Sequence, residues 1–79
     1  MVACTQSVDI LRRAARDGDV DVRIAAASNL ASPSGALEVL AEDDDIDVRL
    51  AVARNPKTPP GVLRRLSEDE DGWVRDGVA

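Results

Sequence analysis

The strongest constraint on the fold is a 26-residue repeat that needs no gap. Val22-Arg23, Val48-Arg49 and Val74-Arg75 recur at that interval, as do Leu11, Leu37 and Leu63. The same spacing links Asp17, Asp43 and Asp69, then Asp19, Asp45 and Asp71, then Ala27, Ala53 and Ala79. Asn29/Asn55, Pro33/Pro59 and Gly35/Gly61 follow it too, so three units fill residues 2–27, 28–53 and 54–79. Self-similarity at a fixed period marks a repeat architecture. Each unit is a motif too small to bury its own apolar face, and stacked neighbours bury it instead.

Each unit reads as two short helices. In the third, Thr58 is placed as an N-cap and Pro59 as the first helical residue, where a missing N–H costs nothing. Val62, Leu63 and Leu66 then share a face, matched by Ala36, Leu37 and Leu40, and by Ile10, Leu11 and Ala14. The second helix begins at an Asp cap (Asp19, Asp45 or Asp71). It carries Val48, Ala51 and Val52, or Val22, Ala25 and Ala26, inward. It stops at Asn55-Pro56, because the residue before a proline avoids the α region. No segment alternates long enough for a strand. The expected fold is all-α, a short right-handed α-solenoid of three two-helix repeats.

Composition agrees with close helix packing. Hydrophobic residues make up 44% of the 79-residue chain and are nearly all Ala, Val, Leu and Ile; Trp73 is the sole aromatic. A net charge of −5 argues against nucleic acid and anionic membranes as partners, since both want a basic face. No apolar run is long enough to span a bilayer, and MVACTQSVD lacks the features of a signal peptide. One cysteine, Cys4, forms no internal disulfide and fits a reducing compartment, so a cytoplasmic location is expected. The Arg-over-Lys bias and richness in Ala and Asp suit a GC-rich bacterial gene.

DIDVRLAVARNPKTPPGVLRRLSED resembles the leucine-rich repeat variant (LRV) repeats of bacteria, through the pattern D-x-D-x-x-V-R-x-A-x-A-x-N-P-x-T-P-x-x-x-L-x-x-L. The similarity extends over essentially the whole chain, although Leu30-Ala31-Ser32-Pro33 replaces the family-like Asn-Pro-x-Thr-Pro. The unit is also slightly longer than the typical LRV repeat. DVDVRIAAASNL resembles HEAT repeats as well, whose units are considerably longer, so that family ranks second. Both resemblances imply a helical binding scaffold and no shared catalytic site.

The acidic corner EDDDIDVR (Glu42–Arg49) invites a metal reading. Asp17-Gly18-Asp19-Val20-Asp21 does begin like an EF-hand loop, but Val22 and Ser28 stand where Gly and Glu are required. The structural reading accounts for more: Asp19, Asp45 and Asp71 cap helices and complement their dipoles. Arg23, Arg49 and Arg75 form a ladder from unit to unit with Asp17, Asp43 and Asp69, favoured by bidentate guanidinium geometry.

No catalytic, cofactor or metal residues are expected. His and Tyr are absent, and the carboxylate pairs merely repeat with the unit. Cys4 reads as a small apolar end residue. Arg12-Arg13 and Arg64-Arg65 read first as a solvated outer face and second as part of a partner stripe. The candidate partner contacts are Trp73, Ile24, Leu50, Asp44 and Glu70. Trp73 replaces the Asp of the other units, either shielding an open end or anchoring a partner. The absence of an added cap at Ala79 suggests a piece of a longer array or ends covered by self-association. The leading expectation is therefore a non-enzymatic protein-interaction module. Its alternatives are a self-assembling structural unit and an acidic regulator of a basic partner surface.

Overall fold

A computed structural model describes residues 10–78, which are helical with no strand among them. A helical turn over residues 10–14 (α1) precedes α2 (Val20–Ser28), α3 (Ser34–Leu40), α4 (Ile46–Arg54), α5 (Pro60–Ser67) and α6 (Gly72–Val78). Cys4 and Ala79 lie outside the described residues.

The even-numbered helices start on aspartate. The carboxylates of Asp19, Asp45 and Asp71 each accept the backbone N–H two residues on, from Asp21, Asp47 and Trp73 at 2.8 Å. Each bond satisfies one of the orphan donors of a helix N-terminus and places negative charge at the positive end of the dipole. α2 and α4 end at Asn29 and Asn55, whose backbone is extended. Pro56 enforces that break after α4.

The connection into α3 and α5 differs from the sequence expectation. Thr58 does not cap α5: Pro59 is the N-cap residue and makes no side-chain bond, and Pro60 is the first helical residue. The Thr58 hydroxyl instead points back and donates to the Val52 carbonyl at 2.7 Å. Ser32 makes the same bond to Ala26 at 2.5 Å. Each hydroxyl thus adds a second bond to a last-turn carbonyl that also accepts the N–H of Asn55 or Asn29, and Thr58 and Ser32 are buried.

α2 packs on α4 and α4 on α6, while α3 and α5 lie against this row. Leu37, Leu40, Leu66, Val48, Val52 and Val74 are fully buried, with Ala26, Ala27, Ala36, Ala41 and Ala53 between them. Small residues at these positions bring backbones close. The closest approach is at Gly77, where a Cβ would stand 2.8 Å from Leu50 Cδ1 and 3.2 Å from Ala53 Cβ.

Several inward assignments shift by about one position. Ala25 is exposed and Ala27 buried, Ala51 and Val22 are half-buried, and Ala53 is buried. Ile10 and Ile46 are exposed. The cause is the close contact of a helix row: the tightest seam takes the smallest side chains, so the large Ile at the first turn of α4 is left outside. No helix among the described residues is long and apolar enough to cross a membrane.

Candidate binding face

The acidic corners divide into inner and outer acids. Asp17, Asp43 and Asp69 accept the N–H of Asp19, Asp45 and Asp71 at 2.8–2.9 Å, Asp43 and Asp69 half-buried and Asp17 exposed. Each corner is therefore two linked aspartate turns, and the second carboxylate caps the helix. The arginine four residues beyond that cap then ties corner to corner. Arg23 Nε donates to Asp43 Oδ2 at 2.7 Å, and Arg49 Nε to Asp69 Oδ2 at 2.9 Å. A second, longer bond joins each Nη2 to the facing Oδ1, at 3.5 and 3.4 Å. Nη1 holds the arginine's own corner through the carbonyls of Asp17 and Asp43, both at 2.7 Å.

These pairs are nearly enclosed, with side-chain exposures of 20% and 12% for Arg23 and Asp43, and 12% and 11% for Arg49 and Asp69. The ends of the row differ. Arg75 donates to the Asp69 carbonyl, with no carboxylate facing it among the described residues. Among those residues, the Asp17 carboxylate accepts only from Asp19.

A second tie was invisible in the sequence pattern. Asn55 Nδ2 donates to the carbonyls of Ala27 and Asn29, at 2.8 and 3.1 Å, while its Oδ1 accepts from Lys57 N–H. Asn55 is only 4% exposed. The repetition of Asn29 and Asn55 was the available signal, but nothing in it told which carbonyls the amide would reach.

The residues left to meet other molecules form two rows along α2, α4 and α6. Asp21, Asp47 and Trp73 occupy one register, and Ile24, Leu50 and Asp76 the register one helical turn on. Ile24 and Leu50 are half-buried against the core and floor a shallow groove of about 310 Å³ with Asp47 and Ala51 on its wall. Trp73 is 71% exposed. Asp44 and Glu70 are exposed, and their carboxylates accept no hydrogen bond among the described residues. Arg12, Arg13, Arg64 and Arg65 are exposed, and Arg65 meets Glu42 at 3.1 Å across α5 and α3.

Among the described residues, no group of three or more potential ligand side chains stands together to hold a metal ion. In the EF-hand-like segment, one carboxylate oxygen each of Asp17 and Asp19 accepts a backbone N–H.

The family model described as leucine rich repeat variant matches residues 46–71, from the start of α4 through α5 to the corner before α6. The resemblance expected from the Asp-Val-Arg and Asn-Pro-x-Thr-Pro elements is thus found over one full period. Comparison with curated proteins gives no match. Comparison with solved structures gives none either.

Proposed function

We propose that this chain is a non-enzymatic protein-interaction module, built as a right-handed α-solenoid of three repeats over residues 2–27, 28–53 and 54–79. One observation carries the reading: the only aromatic side chain, Trp73, is displayed at 71% exposure beside a groove-bearing helix face. Exposed Trp is the residue type most enriched at binding hot spots. The leucine rich repeat variant match agrees with a scaffold role. The ladder supplies rigidity, which lowers the entropic cost of presenting a fixed surface.

The test is photo-crosslinking from a probe at the exposed position 47, in the same row, with Trp73 present and with the aliphatic variant Trp73→Leu as comparison. A partner captured by the parent protein and lost in the variant, at unchanged melting temperature, supports the reading. Loss of folding stability in place of loss of capture overturns it.

End-to-end assembly of copies is a second reading, favoured by Arg75 and Asp17. Among the described residues each lacks the ion-pair partner that its equivalents have, and the two are complementary. Light scattering after size exclusion would then show association that Arg75→Glu abolishes. The outward acids Asp44 and Glu70 belong to a third reading, contact with a basic partner, in which neutralising them lowers affinity most at low salt.

A further inference from the structure

The α1–α3 step differs from the α3–α5 step at two facing positions, and a groove lies there. Between α3 and α5, Glu42 and Arg65 form an exposed ion pair. One unit earlier the same two positions hold Arg16 and Val39, which cannot pair. There the surface sinks into a groove of about 480 Å³. It is lined by three arginines, Arg12, Arg13 and Arg16, all exposed, together with the small and aliphatic residues Ala15, Gly35, Ala36 and Val39. Val39 is 41% exposed, while the two alanines are buried at 4% each. A basic and aliphatic lining stands out in a chain of net charge −5.

We infer that this groove binds a short acidic peptide segment, with carboxylates on Arg12, Arg13 and Arg16 and one aliphatic side chain on Val39. Arginine forks suit carboxylates. The aliphatic lining supplies the apolar contact that a free anion would not use. Two observations favour a peptide over nucleic acid. At its Arg16–Val39 end the groove opens directly onto Asp17, Glu42, Asp43 and Asp44, so a continuous polyanion would leave it into like charge. No aromatic side chain lines it for base stacking. The assignment rests on the interaction reading and names the partner chemistry for a surface distinct from the Trp73 face.

The probe is a fluorescein-labelled peptide, Glu-Glu-Leu-Glu-Glu, followed by fluorescence anisotropy. Its Ser-for-Leu counterpart and an oligothymidylate serve as comparisons. The double variant R16E/V39R installs the Glu42–Arg65 type of pair in the groove. It is expected to weaken peptide binding at least tenfold while the thermal melt is held or raised. If that variant fails to fold, R12E/R16E, both at exposed positions, gives the same readout. Saturable binding that falls with salt and is severalfold weaker for the serine peptide supports the inference. Equal affinity for parent and variant, equal affinity for the serine peptide, absence of saturable binding, or tighter binding of oligothymidylate overturns it. A partner crosslinked from position 47 that persists in R16E/V39R would leave the interaction reading standing and remove only this groove from it.

Discussion

Arg49 shows how one residue type can serve two neighbours. Its Nη1 holds the corner that precedes its own helix, and its Nε side holds the next corner through Asp69. Truncation leaves a nearly enclosed carboxylate without its cation, a loss of about 1–3 kcal/mol for a charged hydrogen bond. Arg49→Ala is therefore expected to lower the melting temperature clearly, while Arg54→Ala, at an exposed site, stays within about 0.5 kcal/mol. Equal melts for the two variants would remove the ladder from the account of stability. Glu42→Gln should also be nearly silent, because the Glu42–Arg65 pair is exposed at 69% and 59% and such pairs contribute about 0–1 kcal/mol. The repeated Asp and Arg were legible in the sequence as a ladder. Its register, arginine to the carboxylate 20 residues on rather than to the nearer Asp, needed the spatial offset between units.

At the scale of the element, each short helix relies on its ends. α4 has nine residues, too few to be stable alone, so its cap and its packing decide whether it forms. Asp45→Ala should cost about 1 kcal/mol by chemical denaturation, the usual value for loss of an N-cap. The glycines separate packing from propensity. Nothing lies within 4 Å of where a Cβ on Gly61 would stand, so Gly61→Ala should gain up to about 1 kcal/mol. Gly77→Ala should lose stability instead, since its Cβ meets Ala53 Cβ at 3.2 Å, and a helix Cβ cannot swing aside as Leu50 can. Paired thermal melts decide between these signs. Helix number and order were readable from caps, prolines and apolar spacing. The return of Thr58 to the Val52 carbonyl was not, because a threonine before proline has the composition of an N-cap whichever way its hydroxyl turns.

The whole molecule is elongated, with extents of 39, 25 and 13 Å, and stability passes through neighbour contacts along the helix row. A break in the middle should therefore be felt throughout. Asn55→Ala removes both amide bonds to the Ala27 and Asn29 carbonyls, the only side-chain tie between the ends of α2 and α4 among the described residues. The expected cost is about 1–3 kcal/mol from the enclosed Ala27 carbonyl left unpaired, since the Asn29 carbonyl keeps the Ser32 N–H. Leu37→Ala, in the fully buried centre, should cost about 2–5 kcal/mol, whereas Leu30→Ala, 58% exposed, should cost under about 0.5 kcal/mol. Urea denaturation measures all three.

The period, the all-helical class, the aspartate caps and the stop at Asn55 before Pro56 follow from the sequence itself, since each rests on local backbone chemistry. Tertiary structure decided what depends on the distance between units. It placed Ala53 and Ala27 in the tight seam and left Ile46 outside, it sent Asn55 to the carbonyls of the preceding unit, and it paired Arg23 with Asp43. It also opened the Arg12–Arg16 groove, because Val39 faces Arg16 only once two helices 26 residues apart are set side by side. A one-dimensional repeat records which residues are equivalent, and only the stacking offset settles which of them meet.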